Sequence, residues 1–218
     1  MVDRPNRFTL RVKVGREIKT AHLSDTGRLK ELLLPGRPVY LIPNPNGKLD
    51  YKAVGVEVEG EPILLSPAHH SFIAQRLIEG GVLGFKPTRI EREVEVVSER
   101  GRRSRLDFRI DSRVWVEVKG CNLKVGERCL FPDAPTSRGA LHLRHLLRFQ
   151  KMGQQGVVMF LLFRDCSLFS PNQKRDPTFS LLLRRSVEAG IELLPLKLQF
   201  APFPSPLIRY LAPLPYSL

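Results

Sequence analysis

The sequence lacks several features that would assign it to common protein classes. It has no apolar run of the ~18 residues that a membrane helix needs and no basic-then-apolar leader, so we expect neither a membrane span nor a secretory signal. Its cysteines, Cys121, Cys129 and Cys166, are odd in number and lack C-x-x-C spacing, which argues against a disulfide framework and a structural zinc site. We therefore expect a cytoplasmic protein with reduced, partly buried thiols.

Acidic residues are also scarce relative to basic ones. The 218 residues include 22 Asp and Glu but 35 Lys and Arg, which gives a formal net charge of +13. Most of these cations are arginine, whose planar guanidinium binds phosphate through two hydrogen bonds. The balance favours a polyanionic partner, although a surface rich in ion pairs, as in heat-stable proteins, gives a similar composition. The hydrophobic content of 42% predicts a globular protein with a substantial core.

The most informative segment sets an aspartate, a glutamate and a lysine at the spacing D-x9-E-x-K. It runs from Ser104 to Lys119 and reads SRLDFRIDSRVWVEVK. Apolar residues alternate over 106–110 and again over 114–118, which predicts two half-buried strands with one shared apolar face. Asp107, Glu117 and Lys119 then lie on the other face.

The register of this predicted hairpin decides whether the two carboxylates meet. Like residues must oppose each other, so Ile110 pairs with Val114 and the turn covers residues 111–113. Asp107 is then opposite Glu117, with β-carbons roughly 4.5 to 5.5 Å apart. Two carboxylates at that distance repel each other, and Mg2+ or Mn2+ would relieve the repulsion, while Lys119 could position a water or stabilise a phosphate. Ordinary solvent-facing strands carry the same residue types.

A third carboxylate is available on the preceding strand. The segment from Ile90 to Val97 alternates, and a turn around Gly101 would pair it with residues 106–110. Glu93 and Glu95 would then share the face of Asp107. The pattern leaves open which of the two is the third metal ligand.

A basic helix is predicted downstream of the hairpin. A turn-rich loop over 131–139 leads into a helix from Gly139 to about Met152, on which Arg144, Arg148 and Lys151 form one stripe. No acidic residue lies between Asp133 and Asp165, so a phosphate backbone could approach this helix without local repulsion. A solvated helix face is the alternative interpretation.

The positions of glycine and proline residues, which interrupt helices and strands, suggest two domains and a tail. Residues 1–84 contain alternating apolar segments separated by turn-forming residues, which predicts a β-barrel of about five strands. Within this part we expect a helical turn over 25–34 and a helix over 71–78. Residues 85–200 alternate strands and helices, and the proline-rich residues 201–218 are expected to be extended over the surface. The predicted class is α+β.

Several runs of sequence resemble the sugar fermentation stimulation protein family. They are AHLSDTGRLKELLLPG at 21–36, SRLDF at 104–108, EVKG at 117–120, FPDAPTSRGALHL at 131–143, and RDPTF and EAGIE near the end. The resemblance implies an N-terminal OB-like β-barrel, a C-terminal restriction-endonuclease-like (PD-(D/E)XK) domain with a mixed sheet, and nucleic-acid binding. It also implies that Asp107, Glu117 and Lys119 occupy the catalytic positions, with Asp107, Glu117 and Glu93 around Mg2+ or Mn2+.

The sequence thus predicts a DNA-binding protein with the site of a metal-dependent phosphodiesterase. A non-enzymatic DNA-binding regulator on the same fold is the alternative, RNA is not excluded as the polymer, and a homodimer is possible. Where the family usually has an asparagine, this chain has His69 and His70, which we expect to be a satisfied or exposed pair. The predicted nucleic-acid contacts are Arg7, Arg28, Arg105, Arg138, His142, Arg144, Arg148 and Lys151.

Overall fold

A computed structural model describes residues 1–25, 27–98 and 101–218 of the chain. The N-terminal unit is a six-stranded sheet. Five of its strands pair in the order β1-β2-β3-β5-β4, and the sixth, β6, also pairs with β5. The alternation predicted over 51–58 is confirmed, because it forms one continuous strand. The strands are β1 (Asp3–Asn6), β2 (Thr9–Val14), β3 (Glu17–Leu23), β4 (Val39–Pro43), β5 (Tyr51–Val58) and β6 (Glu61–Leu64).

The helical turn predicted over residues 25–34 is present only as a single turn in its second half. The Leu29 carbonyl accepts from Leu33 N at 2.9 Å and from Leu32 N at 3.1 Å, and the turn covers residues 30–32. Before it, the Arg4 guanidinium donates to the carbonyls of Arg28 at 2.8 Å and Gly27 at 3.2 Å, which gives these carbonyls a side-chain donor. Thr26 lies outside the described residues.

The second unit carries the helices and a larger sheet. Its six strands have the order β15-β14-β12-β9-β8-β7. The three central strands, β14, β12 and β9, are parallel to one another. The strands on either side of them, β15 on one side and β8 and β7 on the other, pair in antiparallel orientation. Strands β10, β11 and β13 form a separate small sheet. The elements are α1 (Ala68–Glu79), β7 (Ile90–Val97), β8 (Arg103–Ile110), β9 (Val114–Cys121), β10 (Leu123–Val125), β11 (Arg128–Phe131), α2 (Ser137–Lys151), β12 (Gln155–Leu162), β13 (Leu168–Pro171), α3 (Pro177–Glu188), β14 (Glu192–Ala201) and β15 (Leu207–Pro213).

Two hydrophobic clusters cover the two faces of the larger sheet. One cluster joins the N-terminal sheet and α1 to the valines of β9 and to Phe108 and Ile110. The other packs α2 and α3 against Trp115 and the opposite side of β12. Leu106 belongs to this second cluster, so the single apolar face predicted for residues 106–110 is wrong at its first position. The burial itself still alternates along β8, since Leu106, Phe108 and Ile110 are all 0% exposed.

The cysteine prediction is also wrong. Cys129 and Cys166 form a disulfide, with Cα atoms 5.8 Å apart, and Cys121 is a buried free thiol. The parallel pairing of β11 with β13 brings the two positions together although 37 residues separate them. Sequence spacing carries no signal for such a contact.

The proline-rich tail is extended as expected, but much of it is part of the larger sheet. Its strand β15 pairs with β14 from Ala201↔Leu207 to Leu196↔Pro213, with one irregularity in register. Among the residues that the structure describes, no helix is long and apolar enough to cross a membrane.

Candidate functional site

The β8–β9 hairpin has the register that the sequence predicts. Ile110 pairs with Val114 and Phe108 with Val116, which confirms a three-residue turn over 111–113. The turn needs unusual backbone angles, since Asp111 and Ser112 both have positive φ. The Asp111 carboxylate stabilises it by accepting bonds from the backbone amides of Thr88 and Arg89.

The hydrogen-bonded ladder between β8 and β9 stops before Asp107. In its place the backbone N–H of Val118 donates to the Asp107 carboxylate at 2.6 Å. Burial and the negative charge of Glu117 raise the pKa of Asp107 to about 7, against smaller opposing effects of the Val118 bond and the Lys119 cation. Asp107 and Glu117 therefore lie close enough for their charges to interact strongly.

Glu117 is the most buried carboxylate of the site, at 2% exposure. Burial alone would raise its pKa, but Lys119 and His142 outweigh that effect and hold the pKa below its ordinary value. Both partners contact the same carboxylate oxygen, Oε1. The other oxygen, Oε2, is buried without a hydrogen-bond partner in the protein. A buried carboxylate oxygen in that state is costly and is a natural ligand atom for a hard cation.

Helix α2 brings His142 to Glu117, and two capping residues fix the start of this helix. The Thr136 hydroxyl accepts a bond from Gly139 N at 3.0 Å, which is an N-cap. Asp176 accepts from Thr136 N at 2.8 Å and from Phe179 N at 2.8 Å, so one carboxylate caps α3 and holds the start of α2. The family-like runs at 131–143 and 175–179 therefore act together to position the site.

Two residues predicted to contact nucleic acid have partners within the protein. His142 is 2% exposed and bonds Glu117 through Nδ1, so it does not offer its ring to a phosphate backbone at the surface. Arg148 donates to the carbonyl of Val97 at 2.7 Å and stacks on Phe149. These bonds attach α2 to β7. The sequence pattern showed a helix stripe but not the strand beside it.

The surroundings of Glu93 and Glu95 bear on which of them is the better candidate for the third metal ligand. Glu93 is exposed, has a positive φ of 50° and lies near enough to raise the pKa of Asp107 slightly. Glu95 pairs with Arg103 at 3.6 Å. Within residues 1–25, 27–98 and 101–218, no three His, Cys, Asp or Glu side chains are already arranged around a common metal position. Asp107 and Glu117 are thus the closely associated pair, and Glu93 lies opposite Asp107 in the β7–β8 register, between the pairs Arg92↔Phe108 and Val94↔Leu106.

The remaining predicted cations lie in different parts of the structure. Arg105 and Arg138 line one pocket together with Arg102 and Arg103, where β8 faces the start of α2. Arg144 and Lys151 are exposed on α2, and Arg7 is exposed on the N-terminal unit. Arg28 is half-buried, and its backbone N–H donates to the Asp133 carboxylate at 3.1 Å. That bond gives Asp133 a structural role in joining the two units.

One close contact beside the site was missed by the sequence reasoning. His70 is half-buried with its Nε2 atom inaccessible, and its ring lies against Gly120, the residue that follows Lys119. It also stacks on Phe163, with ring centroids 5.9 Å apart. Burial lowers the pKa of His70 to about 4, so the ring is neutral at ordinary pH. A helix residue packed on a glycine of a distant strand leaves no pattern in the sequence.

Comparison with known proteins gives the family. The model of the SfsA N-terminal OB domain matches residues 2–65, and that of the sugar fermentation stimulation protein RE domain matches residues 68–203. A sugar fermentation stimulation protein homolog of Methanothermobacter thermautotrophicus is 41% identical over 201 residues, covering 89% of this chain and 82% of the relative. A homolog of Pyrobaculum arsenaticum is 38% identical over 223 residues, covering 100% and 92%.

A solved structure has the same fold. It is described as the structure of Pyrococcus furiosus SfsA in complex with Ca2+, and it matches with a TM-score of 0.87 and 30% identity over 100% of this chain and 94% of the other. The predicted α+β class with an N-terminal OB domain is therefore confirmed. The chain belongs to the sugar fermentation stimulation protein family.

Proposed function

We propose that this protein binds DNA and hydrolyses its phosphodiesters with Mg2+ or Mn2+ at Asp107, Glu117 and Lys119. The observation that carries the proposal is a pair of carboxylates, of which Glu117 is buried and Asp107 half-buried. Glu117 has one oxygen without a partner, and Asp107 has a pKa raised to about 7 by burial and by the charge of Glu117. A divalent cation between them would satisfy the free oxygen and remove the repulsion.

The residues divide the work according to their positions. Asp107 and Glu117 would hold the metal, and Glu93 is the candidate third ligand from β7. When bound, the metal would polarise the scissile phosphate and lower the pKa of an attacking water. The Lys119 ammonium, only 17% exposed and paired with Glu117, would orient that water or stabilise charge on the phosphate. His142 would keep the Glu117 carboxylate in one orientation, as a positioning residue.

Two observations beyond the carboxylate pair support this proposal. The related Pyrococcus furiosus protein is described in complex with Ca2+, an ion that takes the same oxygen ligands as Mg2+. Four arginines at 102, 103, 105 and 138 line a pocket between β8 and the start of α2, where a single carboxylate, Glu95, pairs with Arg103, and the excess of positive charge is suited to backbone phosphates. Contacts to phosphate carry no sequence information by themselves, so the choice between DNA and RNA belongs to the experiment.

The decisive experiment is a cleavage assay on single- and double-stranded DNA and RNA with Mg2+, Mn2+ or chelator. We expect metal-dependent cutting by the wild type and its loss in Asp107→Ala. Asp165→Ala is the matched control, because Asp165 is an exposed aspartate that pairs with Lys197 away from the site. Absence of cutting by the wild type under every condition refutes the enzymatic proposal.

A non-enzymatic DNA-binding regulator is the second candidate. The observation in its favour is that Lys119 pairs directly with Glu117, while the described residues do not form a ready three-ligand metal group. This candidate predicts salt-dependent DNA binding and stabilisation by Ca2+ without cleavage. Binding with intact DNA in Mg2+ and Mn2+ would select it over the nuclease.

A further inference from the structure

The buried ring of His142 has a partner on each of its nitrogens. Its Nδ1 contacts the Glu117 carboxylate, and its Nε2 lies 3.4 Å from Nε of Arg138. Arg138 precedes His142 by four residues on α2, and side chains at that spacing are neighbours on a helix surface. Arginine has N–H donors and no acceptor, so Nε2 of His142 accepts in this contact. The ring proton therefore lies on Nδ1 and is donated to Glu117.

The position of this proton matters for Glu117. With the proton on Nε2, the Nδ1 lone pair would face the carboxylate oxygen, and the two would repel each other. The Arg138 contact excludes that arrangement, because a nitrogen that accepts a bond carries no proton. Oε1 of Glu117 thus keeps its donor, and Oε2, which has no partner in the protein, keeps one orientation. Residues behind a metal ligand commonly act in this way.

Arg138 also lies where a phosphate can reach it. It is exposed in the first turn of α2, a place where the helix dipole disfavours a cation, and that turn contains no acidic residue. Within the described part of the chain its side-chain hydrogen bonds involve Nε alone, which leaves both terminal nitrogens available. Arg138 lines the pocket that it shares with the arginines at 102, 103 and 105. A phosphate bound there would supply the anion that this helix end lacks.

We propose that Arg138 serves the metal site and the substrate at once. Through His142 it acts as a positioning residue that holds Glu117 for the metal, and through its terminal nitrogens it binds a phosphate of the nucleic-acid backbone. This inference deepens the proposed function and rests on it. Arg105 lines the same pocket but has no hydrogen bond to His142, so it should serve the phosphate alone.

Calorimetric titration with Ca2+ in the absence of DNA tests the positioning role. Arg138→Lys keeps the positive charge but removes the Nε–H donor beside the ring. It should reduce Ca2+ affinity roughly three- to tenfold, which is the effect of one hydrogen bond. Arg105→Lys is the matched control and should leave the affinity unchanged. Both arginines are exposed, so we expect both variants to fold.

A double-mutant cycle with His142→Ala shows whether Arg138 acts through the histidine. In the His142→Ala background, Arg138→Lys should no longer reduce Ca2+ affinity. If Arg138→Lys weakens binding equally in both backgrounds, or no more than Arg105→Lys does, this inference is overturned while the proposed metal site stands. A wild type that binds no Ca2+ refutes the metal site and this inference with it.

The position of the His142 proton is a readout that needs no metal. Nitrogen-15 NMR of the histidine-labelled protein in chelator, with His142→Ala to assign the ring, should show a protonated Nδ1 and an unprotonated Nε2. A proton on Nε2 overturns the inference, because the Nε–H of Arg138 cannot donate to a protonated nitrogen.

The salt dependence of DNA binding in chelator tests the contact to phosphate. Arg138→Ala and Arg105→Ala should each reduce the salt slope by about 1, whereas His142→Ala should leave it unchanged. If Arg138→Ala leaves the slope unchanged, Arg138 does not bind a backbone phosphate and its double role is wrong. A wild type that binds no DNA refutes the proposed function together with this role.

Discussion

His142 on α2 contacts the Glu117 carboxylate on β9, and both side chains are almost completely buried. Lys119 contacts the same oxygen, so Glu117 has two partners on one side and none on the other. The other ring nitrogen of His142, Nε2, accepts a bond from Arg138 Nε at 3.4 Å, so His142 lies between the buried carboxylate and one of the predicted phosphate-binding arginines.

Replacing His142 by alanine should weaken metal binding without changing DNA contacts. Loss of a residue that orients a ligand typically reduces metal affinity roughly 10- to 100-fold. Titration calorimetry should therefore give a Ca2+ affinity for the variant that is roughly 10- to 100-fold lower than that of the wild type. The salt dependence of DNA binding, measured with a chelator present, should be the same in both proteins. Arg144→Ala is the comparison, because loss of one phosphate contact should reduce the salt slope by about 1 and leave Ca2+ affinity unchanged. The opposite pattern would restore His142 as a DNA contact.

Metal affinity should fall as the pH drops below about 7. Asp107, with a pKa raised to about 7 by burial and Glu117, binds a proton in the same range in which it would bind the cation. Each pH unit below that pKa should weaken Ca2+ binding roughly tenfold, because the proton competes with the metal. Calorimetry at several pH values measures the trend. A Ca2+ affinity that is constant from pH 5 to pH 8 would contradict the proposed role of Asp107.

The same shift predicts how stability depends on pH when a chelator is present. The folded protein keeps the Asp107 proton up to about pH 7, whereas the unfolded chain releases it near the ordinary aspartate pKa of about 4. Its contribution to the free energy of unfolding is therefore complete below pH 4 and is lost as the pH rises through 7. Urea unfolding of the wild type and Asp107→Asn should show the wild type losing stability relative to the variant over this range.

The sequence predicted the hairpin well because local rules determine it. Alternating apolar residues and a turn of three residues fix the pairing of Ile110 with Val114, and the structure has that register. The same rules did not show that Leu106 packs in the second hydrophobic cluster, although its burial follows the alternation. Periodicity indicates which positions of a strand are buried but not which element packs against them.

The sequence patterns could not predict contacts between segments that are far apart in the chain. The Cys129–Cys166 disulfide depends on the pairing of β11 with β13, and the contact of His142 with Glu117 depends on where α2 crosses β9. A helical stripe shows which residues share a face but not what lies against it. For this reason the stripe could not show that Arg148 also bonds the carbonyl of Val97 on β7.

Asp176 offers a test of how the site is held. Its carboxylate caps α3 through Phe179 N and also binds Thr136 N at the start of α2. Asp176→Ala should lower the free energy of unfolding by about 1–3 kcal/mol, because it removes a cap and leaves a buried amide without its partner. It should also weaken Ca2+ binding, since α2 carries His142. Asp165→Ala, which removes an exposed aspartate, should change neither quantity appreciably.

Gly120 and His70 form the last pair whose contact can be tested. A β-carbon at position 120 would overlap the His70 ring, with Nδ1 only 2.9 Å away, and stacking on Phe163 prevents the ring from moving aside easily. Gly120→Ala should therefore cost about 1–3 kcal/mol by urea unfolding, and much less in a His70→Ala background, where the space is free. Gly80→Ala is the control, because Gly80 has a helical φ of −72° and its nearest contact is 3.3 Å away. If Gly120→Ala lowers the free energy of unfolding by the same amount in the wild type and in His70→Ala, then contact with the His70 ring is not the reason why position 120 requires glycine.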